Sequence, residues 1–235
     1  MSILFTDIYA KAIDLFDDPK ITKAYKTNKT QFAKIMYNHL RNAIAMFNNP
    51  ASIGVMLAQY NEPSGTMAIF EGDGYNSTFT LDDDFEVKDN SIYTFIQDRD
   101  IVHGEFDAET RQVSFPEILP VGHQYAFEQY YVGEFTSDFS TISASTKIGD
   151  QMVVNQIKDI LARLLVKAWA EGERNNLLDI RNLMQDSDFK RTGNDRILNS
   201  KDKWISQLDD EMSSMQNKLS WNIRFMKGSQ NIGRG

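Results

Sequence analysis

Val102-His103-Gly104-Glu105-Phe106, Asp107-Ala108-Glu109-Thr110 and Arg111-Gln112-Val113-Ser114-Phe115 form the stretch that decides the fold class. The four middle residues suit a tight turn, and the runs on either side carry strand formers. The stretch reads as a β-hairpin. Outward from it the strand character continues. Met67-Ala68-Ile69-Phe70 is expected to be a strand and Glu71-Gly72-Asp73-Gly74 a loop. Tyr93 and Phe95 alternate with Ile92, Thr94 and Ile96, a strand that is apolar on both faces. Tyr125, Phe127 and Tyr130-Tyr131-Val132 add a strand near the end of the region.

A charge boundary coincides with this structural one. Residues 65–139 hold 16 of the 33 Asp and Glu but 3 of the 25 Lys and Arg, a formal charge of -13. The rest of the chain carries +5, for a net -8. The expected fold is α+β: a helical bundle body with a long C-terminal helix, and a strand-rich, sandwich-like central insertion. The expected parts are 1–64 (helical), 65–139 (acidic insertion), 140–228 (helical, with the long final helix) and 229–235 (a flexible tail).

The flanks read as helix by their period. Ile8, Ala12 and Leu15 or Phe16 recur at steps of three to four, and Asp18-Pro19 marks a stop and restart. Phe32, Met36, Leu40, Ala43 and Phe47 make one apolar stripe that Asn48-Asn49-Pro50 ends. From Ala51 to Ser64 the pattern blurs. After the insertion, Val153 or Val154, Ile157, Ile160, Leu161, Leu164, Leu165 and Ala168 give a stripe wide enough for more than one neighbour. Asn176–Met184 is expected as a short helix and Asp186–Asn199 as a connection. In the last helix Trp204, Leu208, Met212, Met215, Leu219, Ile223 and Met226 step nearly as a heptad, the suspected surface for helix or subunit packing. Lys227-Gly228 is its expected end.

Composition excludes several functions. The chain has 235 residues, enough for a real core, and no cysteine, so it has neither disulfides nor thiolate sites. The start lacks a basic segment followed by a long apolar run, so no signal peptide is expected. No run approaches 18 apolar residues, so no membrane span is expected. The net charge argues against a general duplex binder.

Chemistry is sparse. His39, His103 and His123 are the three histidines, and none has a second histidine at ligand spacing. His103 and Glu105 are expected to share a strand face. Asp82, Asp83, Asp84 and Glu86 form a dense carboxylate run. It lacks the spacing of a calcium loop and reads as a solvated face, or as one that meets a basic partner or repels DNA. Gly72-Asp73-Gly74 is too short for a phosphate loop. Neither an enzyme nor a cofactor is expected. The alternative reading is a ligand- or carbohydrate-binding module using Tyr and Phe with Asp and Glu between residues 70 and 131. A third is a metal-dependent enzyme on His103 and the central carboxylates.

The third part of the chain carries a resemblance. Gly133-Glu134-Phe135 leads into Thr136-Ser137-Asp138-Phe139 and a long apolar helix ending near Trp169. Leu177-Leu178-Asp179, Asp186-Ser187-Asp188-Phe189-Lys190, a polar span with Asn194 and Leu198, and the amphipathic last helix follow. This order, over roughly residues 130–226, resembles the neck and head–tail connector proteins of tailed bacteriophages. The resemblance implies a structural virion protein, made in the bacterial cytoplasm, that forms a ring, often of twelve subunits, between portal and tail. Its implied partners are its own copies, the portal protein and tail or neck proteins, with transient, non-specific proximity to passing DNA and no membrane. It implies no catalytic residues. Asp82, Asp83, Asp84 and Glu86 would then face either the channel, where carboxylates repel phosphate, or a basic neighbour.

Overall fold

The computed structural model describes residues 2–16, 18–142, 147–184 and 192–231. Its first elements are β1 (Ile3–Leu4), α1 (Phe5–Ile13), α2 (Pro19–Thr27), α3 (Lys29–Met46) and α4 (Ala51–Leu57). Nine strands follow: β2 (Tyr60–Asn61), β3 (Ser64–Glu71), β4 (Thr78–Thr80), β5 (Ser91–Gln97), β6 (Asp100–Val102), β7 (Glu105–Asp107), β8 (Gln112–Ser114), β9 (Gln124–Tyr131) and β10 (Glu134–Phe135). A 3-10 turn, Phe139–Thr141, precedes α5 (Lys147–Met184) and α6 (Thr192–Asn231). The architecture is α+β, with a helical bundle, a long C-terminal helix and a strand-rich central insertion. Two compact units divide the chain. One comprises Met1–Asp18, Ile35–Tyr60 and Phe135–Gly235, the other Pro19–Lys34 and Asn61–Glu134.

The helical unit is built on α5 and α6, which run antiparallel. Arg174 with Asp202 (3.2 Å), Arg163 with Glu211 (3.6 Å) and Gln156 with Asn222 (3.2 Å) set their register. Trp169 meets Trp204 edge to face. The expected α5 stripe from Val153 to Ala168 is buried, and Ala162, Val166, Trp169 and Ala170 widen it. That width receives a second neighbour. α1 packs its buried Ile8 and Ala12 there, flanked by Lys11 with Asp159 (2.5 Å) and Asp7 with Lys158 (2.6 Å). Near the chain start, the rings of Phe5, Tyr60 and Phe135 cluster at 5.1–6.2 Å.

Several expected boundaries are corrected. The short helix at Asn176–Met184 is the end of one continuous α5 of 38 residues, roughly 57 Å long at 1.5 Å per residue. No proline interrupts that span, and Gly172 is accommodated because a Cβ there would stand 3.3 Å from the His39 ring. Of the expected connection at Asp186–Asn199, residues 192–199 belong to α6, and 186–191 lie outside the described residues. Leu198 is buried, so the apolar period starts earlier than Trp204. α6 runs on through Gly228 to Asn231, since a glycine weakens a helix by about 1 kcal/mol without ending it. Of the blurred stretch from Ala51 to Ser64, Ala51–Leu57 is α4, which buries only Ile53 and Leu57, and Tyr60–Asn61 is β2.

The strand unit is a small two-layer sandwich. Its larger sheet has the antiparallel order β3-β9-β5-β6, and its smaller one the order β4-β8-β7. The strand late in the sequence, β9, is the central one. It pairs β3 (Phe70 opposite Tyr125) and β5 (Phe95 opposite Phe127). Leu81, Phe85, Phe95, Val113, Phe115, Tyr125 and Phe127 form the core that both sheets cover. The expected hairpin is present in shortened form. Phe106 pairs with Val113, while Val102 belongs to β6 and pairs with Phe95. The β5–β6 turn puts Asp98 (φ 48°) and Arg99 (φ 80°) in the left-handed region that a two-residue hairpin turn requires.

Candidate assembly surfaces

The acidic run lies in the loop between β4 and β5. Asp82, Asp83, Asp84 and Glu86 are all exposed, while Leu81 and Phe85 plug the core between them. The backbone there is held from outside the loop. The Arg111 guanidinium donates to the carbonyls of Asp82 and Phe85, the latter at 2.7 Å. The buried Gln129 amide donates to the Glu86 carbonyl (2.7 Å) and accepts from the Lys88 N–H (3.1 Å). The loop thus has a fixed path and outward charges. Glu86 pairs with Lys88 at 3.4 Å. Among the described residues, no three Asp, Glu or His side chains converge as metal ligands.

The histidines do not converge either. His103 lies with Gly104 between β6 and β7, so it shares no strand with Glu105. His123 bonds Asp98 at 2.5 Å on the surface of the strand unit. That bond, with the Gln124 N–H, holds the Asp98 carboxyl below the usual range. His39 is in the helical unit. Burial lowers its pKa, against the opposing effects of the Ala168 carbonyl and Glu173. Its ring is half-buried and packs against α5 near Gly172.

Most of the aromatic residues that suggested a sugar platform face inward, while Tyr75, in the loop after β3, is 83% exposed. Tyr125 is fully buried, and its hydroxyl accepts from the Leu119 N–H and donates to the Glu117 carbonyl. Phe70 stacks on Phe79 at 4.7 Å, and Phe127 has Tyr93, Phe95 and Phe106 around it within 5.5 Å.

On α6, Leu208, Met212, Leu219 and Ile223 are buried within the chain. Trp204 and Met215 are only half-buried, and the side chain of Met226 lies outside those described. The places next to them, Ile205 and Gln216, are buried instead. The opposite face carries what the stripe reading passed over. Trp221 and Phe225 sit one turn apart and are each 73% exposed. Their signal in the sequence is two large rings falling between stripe positions.

Hollows are present among the described residues of the helical unit. An open groove of about 820 Å³ runs along α3 and α4, lined by Asn38, Arg41, Asn42, Ala45, Gly54 and Ala58. A smaller one of about 330 Å³ lies between α5, α6 and the end of α3, with Lys167, Asp209, Ser213, Gln216 and Asn217 on its walls. Burial would lower the Lys167 pKa, but Asp209 and Glu171 beside it raise it on balance, so it is a paired cation rather than a reactive amine. Neither hollow combines a nucleophile with a positioned base.

No known protein family, curated protein or solved structure matches this chain.

Proposed function

We propose that this chain is a structural subunit of the neck of a tailed bacteriophage. It forms a ring, twelve-fold by the family resemblance, that joins the portal to the tail and lets DNA pass. Its partners are its own copies, the portal protein and tail or neck proteins, and its place is the head–tail interface of the virion. It carries out no catalysis and holds no cofactor.

The observation that carries the assembly role is the exposed pair Trp221 and Phe225 on α6. A helix that is fully packed on one side and presents two large rings on the other is built to be covered again. Aromatic residues of this kind dominate the energetics of subunit contacts. The long α5–α6 hairpin supports the same reading, since it provides a rigid wall for repeated packing. The neck assignment rests on the sequence resemblance in residues 130–226.

Native mass measurement and particle imaging test it, on the chain alone and mixed with portal and tail components. A closed annulus is expected. Trp221→Ser with Phe225→Ser is expected to keep the helical far-UV signal and lose the annulus. A particle that stays monomeric with both components present would falsify the reading.

A further inference from the structure

The strand unit carries two exposed clusters of opposite sign. Between Pro19 and Asn61 the chain has no Asp or Glu. α2 opens this stretch with Lys20, Lys23 and Lys26, and Lys29 starts α3; all four are exposed. α2 buries no residue at all. Lys23 and Lys26 are three apart and so share a side of the helix. The chain turns at Asn28, whose side-chain amide oxygen caps α3 by accepting from the Gln31 N–H. Lys29 folds back toward α2 and stands 5.9 Å from the centre of the Tyr25 ring. The other lysine of the segment, Lys34, is already bound to Glu128 at 2.6 Å. Lys23, Lys26 and Lys29 pair with no carboxylate among the described residues.

The opposite cluster is the β4–β5 loop. Asp82, Asp83 and Asp84 likewise pair with no cation among the described residues. Arg111 and Gln129 fix the backbone beneath them, so the three charges need little ordering to be met by a partner.

We propose that the lysine face of α2 and the start of α3 docks the acidic β4–β5 loop of a second copy of this chain. The inference rests on the ring reading above and names the contact that sets neighbours in register. The two patches differ, so the contact is head to tail, the kind that closes into a ring. Duplex DNA is the competing polyanion. The strand unit opposes it, because its sixteen acidic and eight basic residues leave a net -8 around the lysine face. A neighbour's loop brings three unpaired carboxylates to three unpaired lysines. Exposed ion pairs add little affinity one by one. Opposed patches set approach and register, and like charges placed face to face are strongly unfavourable.

The test uses the full chain with Lys23, Lys26 and Lys29 changed to Glu, with Asp82, Asp83 and Asp84 changed to Lys, and with both sets together. All six side chains are exposed, and far-UV spectra are expected to stay unchanged. Sedimentation across a concentration series reads self-association at low salt and at about 1 M NaCl, where charges more than ~3 Å apart are screened. Each reversal is expected to weaken association by at least about tenfold, and the combined variant to recover to within about threefold of the wild type. High salt is expected to weaken the wild type. Association unchanged by either reversal, or no recovery in the combined variant, overturns the inference and leaves the ring reading standing. So does a lysine reversal that weakens duplex DNA binding but not self-association. A wild type that stays monomeric even with portal and tail components overturns the ring reading, and the inference with it.

Discussion

Gly104 stands where only a hydrogen fits. A Cβ there would lie 2.3 Å from the Phe95 ring and 2.7 Å from the Ser114 carbonyl oxygen. Phe95 is a core residue and Ser114 is β8 backbone, so neither can withdraw. Gly104→Ala is expected to destabilise the strand unit by about 1–3 kcal/mol, read as a lowered urea midpoint in exchange protection of β5 and β8 amides. An unchanged midpoint would show that the chain has room to shift. Two turn carboxylates give the residue scale its pH dependence. Asp98 is held below the usual range by His123, and Asp107 by the Thr110 hydroxyl and the Glu109 and Thr110 N–H groups. Both folded-state values are depressed, so the stabilisation is present above the ordinary carboxylate value of about 3.9 and is lost as pH falls below it. Glu109, Thr110 and Gln124 amides are expected to lose exchange protection across that fall. Asp107→Ala is expected to flatten the response at Glu109 and Thr110 and leave Gln124 unaffected.

At the scale of the element, α6 separates what a repeat pattern can and cannot reveal. Ile205, Leu208, Met212, Gln216, Leu219 and Ile223 are buried at steps of three and four, with Leu198 one period earlier and Ser220 beside Leu219. An apolar reading finds Leu208, Met212, Leu219 and Ile223 and takes Trp204 and Met215 in place of Ile205 and Gln216. Gln216 is the reason at one place. Its amide oxygen accepts the N–H groups of Asn48 (3.2 Å) and Asn49 (2.8 Å), backbone donors of the connection between α3 and α4. A polar residue buried to satisfy backbone is invisible to hydrophobic periodicity. β9 was legible as a strand for its aromatics, yet its central position depends on pairing partners more than 25 residues away, which no local pattern encodes. The acidic loop was legible as a surface, whereas its anchors Arg111 and Gln129 were not, because each acts across the sheet. Leu219, which is fully buried, is expected to cost about 2–5 kcal/mol when changed to Ala. Met215→Ala is expected to cost under about 1.5 kcal/mol at its half-buried position. Thermal unfolding of the two variants checks this, and equal losses would restore Met215 to the packed stripe.

Over the whole molecule the charge is distributed more simply than along the chain. The central residues 65–139 carry -13, but the acid-free segment Pro19–Lys34 belongs to the same unit and brings five lysines. The strand unit therefore holds the full net -8, and the helical unit, with 17 acidic and 17 basic residues, is neutral. Net charge destabilises a compact body by self-repulsion, and salt screens it. The two units should therefore respond differently to the same salt. Trp169, Trp204 and Trp221, all the tryptophans of the chain, lie in the helical unit, so their fluorescence follows that unit alone. Exchange protection of the β9 amides follows the other. Raising NaCl from about 0.01 to about 0.15 M shortens the screening length from ~30 to ~8 Å. It is expected to raise protection in β9 and to leave the fluorescence midpoint unchanged or slightly lower, as exposed pairs such as Arg174 with Asp202 weaken. NaCl is the right salt for this, because sulfate would strengthen apolar burial in both units alike. No gain in β9 protection would mean that the charge excess is neutralised locally, and equal gains in both signals would mean that the salt acts on something other than the charge of the strand unit.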